Sequence, residues 1–400
     1  MNNTQPRRTK QILLFFTSQC ITLFGSQIAQ MAIVWFVTLE TGSGAWVAAF
    51  SLCAYLPQFF MSFPGGAWAD RCSRKALIIG ADTLIAAVTL AMLLIMPLIT
   101  QTPLLLAALL FMCMLRSAAA GVQTPAVNAV VPQLAPQDQL MRYNGVNAAM
   151  QSAVQFAAPA AAAAVLSQST LCTALSIDII TAALGAGLLF FLPLPVCRRE
   201  KATPAAECGI TAGVRYALTH AALRRTLVIY GLFMFLSVPA GYLSGLLVSR
   251  VFGDTYWHLT AVELAGFGGM MLGGVLMSLW GGFKRRNLTL SAGLALFGAM
   301  AIAMGLITHF VPYLLFMALY GVALTTVQTA ITTMLQESAE ASMQGRVFSL
   351  MSALYASCYP IGMAVFGPLA DRMPLPLLMI LSGAVLMLLA CAAGFSDTRS

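Results

Sequence analysis

Charge is what this chain has least of. Only 8% of its 400 residues are Asp, Glu, Lys or Arg, and three are histidine. So few charges cannot solvate the surface of a chain that is 60% hydrophobic, which excludes a water-soluble globule and makes lipid the solvent. Sustained alternation of polar and apolar residues is also missing, which excludes a membrane barrel and leaves helices of roughly 20 apolar residues each. No Cys-x-x-Cys pair occurs, and the nine cysteines fall mostly inside apolar runs, so neither a disulfide framework nor a metal site is expected. A Gly-x-x-x-x-Gly-Lys-Ser/Thr phosphate loop is absent, which excludes an ATP site of that kind. His220, His258 and His309 stand apart from one another. With no nucleophile or metal pair visible, an enzyme is not expected.

What is present is a series of apolar runs. Their breaks place spans at 12–38, 43–68, 76–99, 104–131, 144–165, 171–192, 225–249, 259–282, 288–308, 312–335, 346–370 and 376–395. The expected fold is an all-α integral membrane protein with twelve transmembrane helices. Basic residues test the count, because short cytoplasmic loops collect Lys and Arg. With the N-terminus inside, every Lys and Arg falls in a cytoplasmic segment except Arg250 and Arg372, which fall outside, and Arg116, which falls in mid-span. Both termini are therefore expected in the cytoplasm. The net charge of +8 reflects orientation rather than nucleic-acid binding. The first apolar run is too long for a signal segment and lacks a small-residue cleavage site, so it reads as span one.

The longest polar stretch, 193–224, separates six spans from six. It reads as a cytoplasmic linker between an N-terminal half, 1–192, and a C-terminal half, 225–400. Gly65, Gly66 and the basic run Arg71 to Lys75 close span two as Gly273, Gly274 and Lys284-Arg285-Arg286 close span eight. Two pseudo-symmetric six-helix halves are a transporter architecture, with a midplane site exposed alternately to each side. In the second copy Ser278 stands where the first has Asp70.

Ionisable groups within spans are costly, about 2.5–3.5 kcal/mol each on insertion scales, and so mark function by default. Asp82 in span three, Arg116 in span four, Asp178 in span six and Glu263 in span eight are the candidates for proton coupling. A carboxylic acid moved between wet and dry surroundings takes up and releases protons. Structural ion pairing of Arg116 with one of the acids is the alternative reading, and Glu263 can also be a wet helix end.

Asn144, Asn147, Gln151 and Gln155 recur at steps of three and four, which puts four amides on one face of span five. Such amides either bond a neighbouring helix or line a water-filled path. The same two readings apply to Gln19, Gln27 and Gln30 on span one and to Gln328 on span ten. Tyr230, Phe233, Tyr242, Tyr355 and Tyr359 are the aromatic candidates for a substrate cavity, since adaptable apolar sites use aromatics and Met.

The segment Gly66-Ala67-Trp68-Ala69-Asp70-Arg71-Cys72-Ser73-Arg74-Lys75 resembles the loop 2–3 signature of the major facilitator superfamily, Gly-x-Leu-Ala-Asp-Arg-x-Gly-Arg-Lys. Trp68 replaces Leu and Ser73 replaces the second Gly. The resemblance implies a gate in which Gly66, Asp70, Arg71, Arg74 and Lys75 latch span two to span eleven on the cytoplasmic side. Thr41-Gly42-Ser43, Ile79 to Asp82, Leu115-Arg116-Ser117, Thr124 to Val130, Ile177-Asp178 and Gly345 to Leu350 are similar to the bacterial macrolide-efflux group of that superfamily. Two motifs depart from the superfamily pattern. Gly121 follows Arg116 by five residues rather than four, and Ala158-Pro159 is followed by alanines rather than glycines.

What the resemblance implies is a secondary transporter of the bacterial inner membrane that exports a hydrophobic or amphipathic compound, such as a macrolide-type antibiotic, by proton antiport. It would act as a monomer with no cofactor, using the proton gradient, and its partners would be a small-molecule substrate, protons and the lipid bilayer. A siderophore or metabolite exporter of the same superfamily, or a non-transporting membrane sensor, is the alternative.

Overall fold

The computed structural model describes residues 5–134, 140–192, 216, 219–253, 255–339 and 344–395. The long elements among them are helices: α1 (Gln5–Thr41), α2 (Gly44–Arg71), α3 (Arg74–Ile95), α4 (Thr102–Leu134), α5 (Leu140–Gln168) and α6 (Leu171–Phe191). They continue as α7 (Ala221–Leu236), α8 (Val238–Gly241), α9 (Ser244–Val251), α10 (Tyr256–Trp280), α11 (Arg286–Leu306), α12 (Phe310–Ser338), α13 (Gln344–Arg372) and α14 (Leu375–Phe395). Eleven helical stretches are long and apolar enough to cross a bilayer, with α7 to α9 counting as one. The twelfth is α5, whose 29 residues suffice to span while Asn147, Gln151 and Gln155 dilute its hydropathy.

Span seven departs from the single helix that its apolar run predicts. Pro239 brings no N–H to the helical ladder. Beyond it, the N–H groups of Tyr242 and Leu243 both turn to the Val238 carbonyl, at 3.0 and 3.3 Å, and the span divides into α7, α8 and α9.

The chain forms two compact units. The first comprises Met1–Val37 and Ala49–Ala202, the second Thr38–Ala48 and Thr203–Ser400, so the turn between α1 and α2 belongs to the second. In the first unit, Phe15 and Phe16 of α1, Ile78 of α3, Val130 of α4 and Leu189 of α6 share one buried cluster. Basic side chains finish the helix ends beside it. Lys75 Nζ donates to the carbonyls of Phe190 and Leu192 at 2.6 and 2.8 Å, a cation at a helix C-terminus, and Arg74 Nη1 donates to Ala129 O at 2.6 Å. Ser73 opens α3 as its N-cap. In the second unit a run of rings, Phe233 to Phe297 at 4.8 Å and Phe297 to Tyr320 at 4.3 Å, fills the core.

Glycine sets how closely the spans pack, and it does so twice in the same way. A Cβ at Gly65 would lie 2.8 Å from the Gly121 carbonyl oxygen, bringing α2 onto α4, and one at Gly273 would lie 2.9 Å from Val322 Cα, bringing α10 onto α12. The neighbouring Gly66 and Gly274 face open space in both units. The packing of span two on span four is thus repeated by span eight on span ten. Gly269 is tighter still, since its added Cβ would collide with the Ala318 backbone. Gly269→Ala is expected to cost about 1–3 kcal/mol by overpacking, read as a lower melting temperature in detergent. An unchanged melting temperature would mean that the two helices separate freely.

Candidate functional site

Three of the four intramembrane charges come together in the first unit. Asp82 of α3, Arg116 of α4 and Asp178 of α6 are 1%, 7% and 0% exposed. The helices bring them there through small residues. A Cβ at Gly25 would collide with Thr181, and one at Gly185 with Thr22, so α1 lies directly on α6. That approach lets Ser26 Oγ donate to Asp178 Oδ1 at 2.9 Å, while Ser18 Oγ donates to Gly185 O at 2.8 Å.

Arg116 Nη1 donates to Asp178 Oδ2 in a buried ion pair, and also to the hydroxyl of Thr89. Thr89 Oγ1 in turn lies 3.2 Å from Asp178 Oδ2 and 2.8 Å from its own helix's Ile85 carbonyl. Asp178 is therefore held by a cation and two hydroxyls from three other helices. Each part of this arrangement answers the cost of burying a charge, which is prohibitive without a partner. The residue after Arg116 also serves the packing. Ser117 Oγ donates to Ala54 O at 2.6 Å and accepts from Gln58 N at 3.0 Å, bridging a gap in the α2 ladder beside Pro57.

Asp82 is placed differently. Its Oδ1 accepts from Gln123 Nε2 at 2.7 Å, while its buried Oδ2 has no hydrogen-bond partner among the described residues. Among the described residues no cation pairs with it. The expectation that Arg116 neutralises one of the acids is therefore met by Asp178, which has no basic residue near it in sequence, while Asp82 is the buried acid left without a cation among the described residues. Gln123 was not singled out by the sequence, and one signal existed for it, since it lies seven residues after Arg116 on the same face of α4.

The remaining candidates divide by exposure. Glu263 is half-buried, about two turns into α10, with no hydrogen bond or ion pair to another described residue. On α5, Asn147 is half-buried and Gln151 and Gln155 are exposed, and these three make no hydrogen bond to a neighbouring helix among the described residues. Gln27, Gln30 and Gln328 are half-buried, and Gln19 is 7% exposed with its Nε2 unpartnered among the described residues. Two aromatic candidates change role. Phe233 is 0% and Tyr230 4% exposed, which makes them core residues of the second unit rather than cavity walls. The other three form a cluster at the break in span seven. Tyr242 and Tyr359 lie 3.9 Å apart by ring centroid, and Tyr355 stacks on Tyr359 at 6.4 Å with an angle of 11°. Tyr355 and Tyr242 present 39% and 43% of their surface, while Tyr359, at 3% exposed, is the buried backing of the cluster. Of the gate residues, Arg74 and Lys75 bond within the first unit as described, Gly66 faces open space, and the side chains of Asp70 and Arg71 lie outside the described residues, as does that of Asn144 on α5.

Sequence comparison places this architecture among known proteins. The family model described as Major Facilitator Superfamily matches residues 15–363. Macrolide efflux protein A of Streptococcus pyogenes is 29% identical over 385 residues, covering 94% of each chain. Macrolide efflux protein A of Enterococcus faecalis is 28% identical over 323 residues, covering 80% of this chain and 99% of its own. Among solved structures, a bacterial homologue of the lysosomal transporter Spinster superposes with a TM-score of 0.73 at 14% identity, covering 99% of this chain and 98% of its own. A bacterial homologue of the iron transporter ferroportin gives 0.72 at 15% identity, covering 97% and 99%. At such identities the likeness is one of fold, and the family match spans most of the twelve helices. The chain is a multi-pass membrane transporter that belongs to the Major Facilitator Superfamily.

Proposed function

We propose that this chain exports a hydrophobic or amphipathic compound of the macrolide type from the bacterial cytoplasm by proton antiport, with both termini inside. The observation that carries the coupling is the unequal pair of acids. Asp178 already has its cation in Arg116, whereas Asp82 keeps one buried oxygen free to hold a proton. Asp82 is then the proton carrier. The Arg116–Asp178 pair is the neighbouring charge that its protonation state is felt by. Full-length similarity to the macrolide efflux proteins supports the substrate class and the outward direction.

Two surfaces fit the substrate. An amide face that bonds no neighbouring helix is costly against hydrocarbon. Asn147, Gln151 and Gln155 would then front a water-filled path, while Tyr242 and Tyr355, backed by the buried Tyr359, supply flat apolar faces with hydroxyl edges for a large amphipathic ligand. Access would alternate by rocking of the two halves, with Asp70, Arg71, Arg74 and Lys75 at the cytoplasmic latch. Everted vesicles containing the protein are expected to accumulate a macrolide when energised and to lose that uptake on addition of a protonophore. Uptake of the macrolide that survives the protonophore would remove proton coupling. Uptake of a siderophore in its place would reassign the substrate.

A further inference from the structure

The hexapeptide pattern Gly-x-x-Ala-Asp-Arg occurs twice, as Gly66-Ala67-Trp68-Ala69-Asp70-Arg71 at the end of α2 and as Gly367-Pro368-Leu369-Ala370-Asp371-Arg372 at the end of α13. These are the second and eleventh spans, which cross the membrane in opposite senses. The two copies therefore lie on opposite sides, the first inside and the second outside by the charge-derived orientation.

The outer copy is engaged in this structure, within the second unit. Asp371 Oδ1 accepts from the N–H of Gly44 and from Arg250 Nη2, both at 2.7 Å. Its Oδ2 accepts from the N–H of Ala45 at 2.9 Å and from Ser43 Oγ at 2.7 Å. A carboxylate thus caps the first turn of α2, where free N–H groups and the helix dipole favour negative charge. Arg250 closes the arrangement from α9. Its Nε and Nη2 donate to Gly42 O at 3.0 and 2.6 Å, and its Nη1 donates to Ala370 O at 2.6 Å.

Backbone chemistry makes the contact possible. Gly42 sits at φ +55°, a left-handed conformation that turns its carbonyl to Arg250. Gly44 and Gly367 let the two helix ends touch, since a Cβ at Gly44 would collide with the Gly367 carbonyl and one at Gly367 would lie 2.7 Å from the Gly44 carbonyl. Arg250 is also one of only two basic residues that the charge pattern places outside. Topology gives it no reason to be there, whereas this contact does.

We propose that Asp371 and Arg250 form an outer gate latch, the counterpart of the Asp70 segment on the inner side, holding the start of α2 to the end of α13 while the transporter is closed outward. Opening to the outside requires Asp371 to release Gly44, Ala45 and Ser43. The proposal holds whatever the substrate and coupling ion, because it concerns only which side is closed.

Asp371→Asn removes the charge and one of the two acceptor oxygens, and Arg250→Gln removes the ion pair. Each is introduced with Gln27→Cys into a background whose nine native cysteines are replaced. A membrane-impermeant maleimide is then applied to whole cells and, separately, to inside-out vesicles. Both variants are expected to raise labelling of the introduced cysteine from outside about threefold and to lower it from inside, with Asp371→Glu shifting it less. Labelling that is unchanged from both sides, that rises from both sides as in a loosened fold, or that shifts in the opposite sense overturns the proposal. Because no substrate is added, this outcome is read independently of the macrolide and proton assignments.

Discussion

Arg116→Leu is expected to destabilise the protein by about 3–5 kcal/mol, and Asp178→Leu introduced alongside it to restore most of that loss. The single change strands the Asp178 carboxylate, 0% exposed, with only the hydroxyls of Ser26 and Thr89. The double change removes the charge together with its need for a partner. Apolar replacement of a buried ion pair is often neutral in stability, because desolvation of the two ions offsets much of their attraction. Melting temperatures in detergent measure this first half. The second half is transport: the double variant is expected to fold and to move no substrate in energised vesicles. Full transport by the double variant would reduce the pair to packing, and a single variant as stable as the parent would show that Asp178 does not depend on Arg116.

Asp82→Asn is expected to lower protonophore-sensitive efflux about tenfold or more, equivalent to about 1.4 kcal/mol or more in the rate-limiting barrier. Stability should barely move, because the asparagine is isosteric and can still meet Gln123, rotated if need be so that its oxygen accepts from Nε2. Substrate exchange between the two sides, which needs no net proton movement, should persist. That split separates a proton carrier from a structural acid. Loss of exchange together with efflux would place Asp82 in substrate binding or in the fold, and retention of both would return the carrier role to another acid such as Glu263.

Much of the architecture was legible because the bilayer imposes it. The lengths of the apolar runs and the placement of Arg and Lys give the spans and their expected orientation without any tertiary information. Local deviations were harder to see. Pro239 lies in an apolar run that reads as one helix, but proline in a membrane span is tolerated in several ways, and only the tertiary packing shows a division into three pieces. The exposed amides of α5 and the buried rings of Tyr230 and Phe233 illustrate the same limit. A residue type on a span has an inward, outward or interhelical destination, and helical periodicity alone does not choose among them.

The outer contact shows a subtler limit. Asp371 and Arg372 end span eleven as Asp70 and Arg71 end span two, yet one copy matched a familiar signature and the other did not, because its following basic run is absent. Arg250 was visible only as an exception to the charge pattern. Its meaning required the fold to bring residues 42–45, 250 and 370–371 together.

The sequence by itself determined that this chain lives in lipid, crosses it repeatedly as helices and carries costly charges on spans three, four, six and eight, because apolar length and charge scarcity act locally along the chain. Which acid receives the arginine, which keeps a free oxygen, and which helix ends are fastened were decided only by tertiary structure. Those outcomes depend on angstrom-scale approach between helices far apart in sequence, set by glycines such as Gly25, Gly44 and Gly185 whose partners no local pattern names.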